Sequence, residues 1–262
     1  MNRLDKKFEE LKQAKKKAFI AFITAGDPSL KVTEELVCSF ERSNVDIVEL
    51  GVPFSDPLAD GPTIQAASQR ALANGVTLKK ILNTVKNIRI KTEMPICLMT
   101  YYNPVFHYGE EKFVEDARKC GVDGLIIPDL PHQEAKILIA SAKKNGVSTI
   151  LFLTPTTTKK RMKEVVDVAT GFIYYVSLTG VTGERKALPT DVAGHVKAAK
   201  KISTKPICIG FGISNAAQVK AMSKIADGVI VGSAIVKEIN KNAGRKDIVK
   251  KVSSYVAKLR GL

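Results

Sequence analysis

Eight short apolar runs rich in β-branched residues alternate along this chain with amphipathic stretches, and that alternation constrains the fold more than any other feature. The runs are "AFIAFIT" (Ala18–Thr24), "DIVELG" (Asp46–Gly51), "PICLMTY" (Pro95–Tyr101), "DGLIIPD" (Asp123–Asp129), "STILFLT" (Ser148–Thr154), "GFIYYVS" (Gly171–Ser177), "PICIGFG" (Pro206–Gly212) and "DGVIVG" (Asp227–Gly232). Each is almost continuously apolar, as expected for parallel strands covered on both faces. Between them lie helical patterns such as "LKVTEELVCSFERSN" and "PHQEAKILIASAKKNG", the second ending in an Asn-Gly stop. Eight strand–helix units close a (β/α)8 TIM barrel, and 262 residues suit one such domain, residues 1–262. A doubly wound open sheet is the alternative. It carries fewer strands and a glycine-rich first turn, whereas the first turn here is "TAGDPS". An extra charged helix at about residues 2–15 is expected to cap the barrel floor.

Composition removes several function classes. Aromatic residues make up 6% and Trp is absent, so the core is aliphatic. No window approaches the roughly 18 apolar residues of a membrane span. The first residues are charged and helical rather than signal-like, so a cytoplasmic location is expected. The net charge of +15 suggests nucleic acid at first sight. The lysines, however, fall in scattered pairs such as Lys79-Lys80, Lys143-Lys144, Lys159-Lys160 and Lys200-Lys201, with no interleaved aromatics. They read as solvated helix faces, with a field that attracts an anionic substrate as the alternative. Cys38, Cys97, Cys120 and Cys208 form no metal-spaced pair and are expected to be reduced, buried thiols. His107 is expected in a loop, His132 and His195 in or near helices, and none fits a catalytic or metal spacing.

The active end of such a barrel is the carboxyl end of its strands. There the second run carries Glu49, a carboxylate where an apolar residue is expected, followed by Asp56 and Asp60 in a loop set by Pro53, Pro57 and Pro62. Burial among Ile47, Leu50 and their neighbours raises the Glu49 pKa and suits it to proton transfer. Asp60 is expected to stay ionised, so the two carboxyls divide their roles. A strand-end salt bridge to a lysine is the structural alternative for Glu49, and a plain turn residue the alternative for Asp56. The seventh run ends in "GFGIS", with Gly210, Gly212 and Ser214 as the expected helix N-cap, and the eighth in "VGSAI", with Gly232 and Ser233 opening a helix. Paired glycine turns at these two strands are the usual phosphate site of this fold.

The stretches "ELGVPFSDPLADGPTIQAASQRAL", "AFITAGDPS", "YYNPVF", "GLIIPDLP", "GVTG", "GFGIS" and "GSAIV" together resemble the tryptophan synthase alpha subunit family. The resemblance runs through the whole chain in order, and "ELGVPFSDPLADGP" is its most specific block. It implies a lyase that cleaves indole-3-glycerol phosphate to indole and glyceraldehyde 3-phosphate in tryptophan biosynthesis. It also implies that no cofactor sits in this chain, with pyridoxal phosphate held by a beta subunit partner in an α2β2 tetramer. The catalytic pair then falls on Glu49 and Asp60. Phosphate contacts fall on Gly183, Gly212, Gly232 and Ser233. The indole pocket falls on Phe22, Tyr101, Tyr174 and Phe211, with Thr182 in a closing loop. The beta-facing surface falls on Asp56 and on Asn103, Pro104 and Phe106 of the "NPVF" segment. One departure is Leu178, where many members have arginine. A stand-alone lyase and a non-catalytic activator of the beta subunit are the alternatives.

Overall fold

A computed structural model of the chain describes residues 2–176, 192–210 and 212–261. Eight parallel strands close a barrel in sequence order: β1 (Ala18–Thr24), β2 (Ile47–Gly51), β3 (Ile96–Met99), β4 (Gly124–Ile126), β5 (Ser148–Leu153), β6 (Ile173–Val176), β7 (Ile207–Gly210) and β8 (Gly228–Val231), with β8 returning to β1. The open-sheet alternative is thereby removed. Most ladders are shorter than the apolar runs. Thr100 and Tyr101, for instance, leave the sheet after Met99 and enter the loop at the barrel mouth.

The period of two along each strand divides the apolar residues between two cores. Phe19, Ala21 and Ile23 of β1, with Val48 and Leu50 of β2, point outward beneath the helices. Ala18, Ile20 and Phe22, with Ile47, Cys97, Met99, Ile126, Ile150 and Tyr174, fill the inside. Register places Phe22, Glu49 and Cys97 side by side on β1, β2 and β3, so one barrel layer contains a carboxylate.

The expected extra helix is Arg3–Gln13, and it closes the floor. Its Leu4, Phe8 and Leu11 are buried within the inner core, with Phe8 5.7 Å from the Phe172 ring. Burying such side chains contributes roughly 1.5–3 kcal/mol each. Asn2 caps the helix and also donates to the Ser148 hydroxyl at 2.8 Å. At the far end the Lys16 N–H bonds the Leu11 carbonyl and the Lys15 N–H the Lys12 carbonyl, a Schellman closure. It requires a left-handed residue, and Lys15 supplies it at φ 54°. For a non-glycine residue that conformation costs roughly 1–2 kcal/mol.

Three aspartates stand one residue before β2, β4 and β8 and tie neighbouring strands together. Asp46 accepts the Phe19 N–H at 2.7 Å, Asp123 the Ile96 N–H at 3.0 Å and Asp227 the Ile207 N–H at 3.0 Å. Each also meets cations: Arg260 at Asp46, Arg89 and Arg3 at Asp123, Lys200 and Lys17 at Asp227. The floor of the barrel is thus a ring of saturated carboxylates.

Two local expectations are corrected. The helix after β7, Ala216–Ser223, is capped by Asn215 rather than Ser214, because the Asn215 side chain reaches the Gln218 N–H at 2.9 Å. Ser214 instead donates, through its N–H and hydroxyl, to the Gln218 side chain. His107 lies in the helix Tyr102–Tyr108, which begins at the start of "YNPVF" because Asp129 accepts the Tyr102 N–H from across the loop. His132 lies in a turn and His195 in the helix Val192–Ile202, as expected. All four cysteines are free, but only Cys97 and Cys208 are fully buried, while Cys38 and Cys120 are half-buried on helices.

Candidate active site

Glu49, the third residue of β2, is a carboxylate on an otherwise apolar inner face. Strand alternation points its side chain inward with Ile47, so it is 1% exposed. Among the described residues neither carboxylate oxygen has a hydrogen-bond partner, and no lysine pairs with it. Burial, with a smaller contribution from the charge of Asp60, pushes its pKa up to about 8. Among the described residues the salt-bridge alternative finds no partner. A carboxyl in this setting is mainly protonated at neutral pH and can donate as an acid before acting as a base.

Asp60 lies at the end of the β2 loop and is 6% exposed. Burial raises its pKa to about 6, while a hydrogen bond from the Tyr101 hydroxyl at 2.9 Å works against that rise. The same hydroxyl accepts the Ala59 N–H at 3.0 Å, so Tyr101 is fixed to the loop on both sides of the Ala59–Asp60 bond. Burial and the Asp60 charge push the Tyr101 phenol far above its ordinary range, which keeps it a donor. At pH 7 Glu49 is therefore mostly neutral and Asp60 mostly charged, the divided arrangement expected of an acid–base pair with an electrostatic partner.

The aromatic walls sit where small residues make room. A Cβ at Gly51 would stand 2.5 Å from the Phe22 ring, and one at Gly232 would stand 3.3 Å from it. A Cβ at Gly210 would collide with the Tyr174 hydroxyl. Tyr174 also packs on Phe152, their ring centroids 5.0 Å apart. A pocket beside Asp60 is lined by Phe22, Gly51, Ile64, Met99 and Tyr101. Thr24 lines it too, and its buried hydroxyl has no partner among the described residues. Thr24, Ile64 and Met99 carried no signal in the sequence. Each looks like an ordinary strand or helix residue until the register turns it toward Asp60.

At the expected phosphate end, Gly212 adopts φ 77°, a left-handed turn that favours glycine. Gly232 is the N-cap of the helix Ser233–Lys241 and no side chain caps it. The contact between Gly232 and Phe22 places this helix start against the aromatic wall. Thr182, Gly183 and Phe211, and the departure at Leu178, lie outside the described residues.

The four positions expected to face a partner follow β2 and β3 at the same barrel end. Asp56 is exposed and accepts the Ser55 hydroxyl, and it lines a shallow groove with Phe54 and Leu58. Asn103 is exposed, Pro104 half-buried and Phe106 64% exposed, and Leu58 is 85% exposed. Phe54 stacks on Tyr101 at 5.4 Å, so the outer loop leans on the residue that holds Asp60. Among the described residues no three His, Cys, Asp or Glu side chains are grouped to hold a metal ion, and no helix is long and apolar enough to cross a membrane.

Comparisons with known proteins bear on the family and the fold. The tryptophan synthase alpha chain from Geotalea daltonii is 50% identical over 260 residues, covering 99% of this chain and 98% of its own. The solved tryptophan synthase subunit alpha from Legionella pneumophila strain Paris superposes with a TM-score of 0.93 at 38% identity, covering 100% of this chain and 98% of its own. A chain from the tryptophan synthase a2b2 complex of Pyrococcus furiosus gives 0.87 at 38% identity, covering 94% and 98%. The family described as tryptophan synthase alpha chain matches residues 8–261, and the chain belongs to that family.

Proposed function

We propose that Glu49 and Asp60 perform the reaction of this lyase, the retro-aldol cleavage of indole-3-glycerol phosphate to indole and glyceraldehyde 3-phosphate. The observation that carries the assignment is Glu49 itself, fully buried at the barrel mouth with neither oxygen engaged by a described residue. Its neutral carboxyl gives a proton to indole C3, drawing on the C2–C3 π pair and leaving positive charge on the ring nitrogen. The Asp60 carboxylate accepts a hydrogen bond from that N–H and stabilises the cation. The Glu49 carboxylate then takes the proton of the hydroxyl on the adjoining carbon. That oxygen's electrons form the aldehyde, the carbon–carbon bond breaks, and its pair restores the indole ring. Glu49 ends protonated, as it began.

Phe22, Tyr101 and Tyr174 form the walls for the indole, with Phe211 and Thr182 completing them. Gly212, Gly232 and Ser233, with Gly183, present backbone N–H groups and a helix N-terminus to the phosphate. The chain is one barrel domain over residues 1–262, its chemistry needs no cofactor of its own, and its location is cytoplasmic.

A pyridoxal-phosphate beta subunit is the partner. The P. furiosus relative is described as part of a mutually activating a2b2 complex. Here Phe106 and Leu58 expose apolar surface beside Asp56 and Asn103, at the end where indole leaves. The test is indole release by the purified chain, with and without beta subunit. Glu49→Gln should lower turnover by about 10²–10⁴-fold while substrate still binds, the usual contribution of a general acid–base. Retention of more than a tenth of wild-type turnover would remove Glu49 from the role. Rates that are indifferent to beta would favour the stand-alone lyase.

A further inference from the structure

At the opposite end of the barrel, a cleft of about 490 Å³ opens beside the floor helix. Among the described residues six lysines line it: Lys12 from the end of that helix, Lys15, Lys16 and Lys17 from the turn that leads to β1, and Lys200 and Lys205 from the approach to β7. The one carboxylate among them is Asp227. Both of its oxygens are already taken, one by Lys200 at 2.8 Å and Lys17 at 3.2 Å, the other by the Ile207 N–H. Lys205 donates to the Val166 carbonyl. Lys12, Lys15 and Lys16 are exposed and lie within ion-pair distance of no described carboxylate, although the Lys16 charge is felt by Asp46 on the other side of the helix. Two helices, Arg3–Gln13 and Val192–Ile202, end at the cleft, and their C-termini offset about one positive charge between them. With Asp227 counted, about four positive charges remain. The base of the cleft is apolar, formed by Phe8, Leu11 and Pro206.

This excess is local. A neighbouring cleft on the other side of the same helix sets Arg3, Lys6 and Lys7 against Glu10, Glu41, Asp46 and Glu93. The chain's overall positive charge therefore does not make every cleft cationic. Lys15 points the same way, because it occupies the left-handed closing position where glycine is the unstrained choice. Strain kept in the backbone at a ligand-sized cleft is a mark of a binding site.

We propose that this cleft binds an organic polyphosphate, a phosphate chain carrying a flat apolar group, as in a nucleoside triphosphate. The phosphates would meet Lys12, Lys15 and Lys16, and the flat group would lie on Phe8, Leu11 and Pro206. The charge remaining in the cleft matches that of a triphosphate. The site is independent of the cleavage reaction, since it lies at the amino ends of the strands.

Titration calorimetry of the full chain with ATP and, separately, with tripolyphosphate tests this, without magnesium and at low salt to limit screening. One site is expected, with ATP binding more tightly than tripolyphosphate. The triple variant Lys12→Ala, Lys15→Gly, Lys16→Ala should weaken both by at least about tenfold and leave indole-3-glycerol phosphate cleavage unchanged. Lys15→Gly alone should raise the melting temperature by about 2 °C while weakening ATP, opposite signs that a purely structural lysine would not produce. Equal affinity for the two ligands would assign inorganic polyphosphate and overturn the role given to the apolar base. Absence of binding, binding unaffected by the triple variant, or binding abolished by glyceraldehyde 3-phosphate would overturn the site.

Discussion

Asp123 at the barrel floor and Glu49 near its mouth are buried alike, at 0% and 1% exposed, yet their surroundings are opposite. Asp123 accepts the Ile96 N–H and meets Arg89 at 2.7 Å and Arg3 at 3.2 Å. Glu49 has burial and the nearby charge of Asp60, and no described hydrogen-bond partner. A satisfied buried carboxylate holds strands in register. An unsatisfied one holds a proton near neutral pH and is available to a substrate. In this barrel the amino end of the strands serves stability and the carboxyl end serves chemistry, as the architecture leads one to expect.

The largest effect that sharpens this contrast is on stability. Asp123→Ala leaves Arg89 buried without its partner and should cost about 3–5 kcal/mol, with kcat of the remaining folded protein nearly unchanged. Glu49→Ala should cost far less stability and nearly all activity. Denaturant unfolding of the two variants checks it, and comparable stability losses would break the division between the ends.

A smaller effect concerns pH. The folded-state pKa of Glu49, about 8, lies above its ordinary value of 4.5. The folded protein therefore binds the extra proton in that interval. Stability from neutral Glu49 is full below pH 4.5 and is lost as pH rises through 8, a change of a few kcal/mol at most. Wild type should lose melting temperature relative to Glu49→Gln across this window, and the gap should be flat on either side. Parallel curves would mean that Glu49 is solvated. The proposed mechanism needs Asp60 charged and Glu49 protonated, so kcat/KM should be bell-shaped with limbs near 6 and 8.

The smallest effect belongs to the Tyr101 hydroxyl. Tyr101→Phe removes the hydrogen bond that favours ionised Asp60. The acid limb should move upward by about one unit or less, since one bond to a charged group is worth about 1.5 kcal/mol, while the basic limb at Glu49 stays in place. An unmoved acid limb would show that Tyr101 serves only as a wall of the pocket.

The sequence by itself determined the barrel, the floor helix and the two carboxyls. Continuous apolar runs have few ways to be buried, and a glutamate inside one of them is conspicuous against its neighbours. Strand ends were less legible, because Thr100 and Tyr101 continue the apolar pattern yet turn out of the sheet to meet the Asp60 loop. The Ser214 cap failed because Ser and Asn are adjacent and equally suited, and only the reach of Asn215 to Gln218 separates them. His107 was misplaced because its helix is started by Asp129, a residue from another loop. Tertiary structure alone decided that Glu49 meets no partner among the described residues while Asp46, Asp123 and Asp227 are saturated. It also gathered four lysines from the end of the first helix and the turn after it, and two from the approach to β7, around one cleft. The physical reason is common to these cases. Local pattern fixes which face of an element is buried, but the partner a buried charge meets is set by closure of the barrel, which brings together residues as distant in sequence as Lys17 and Asp227.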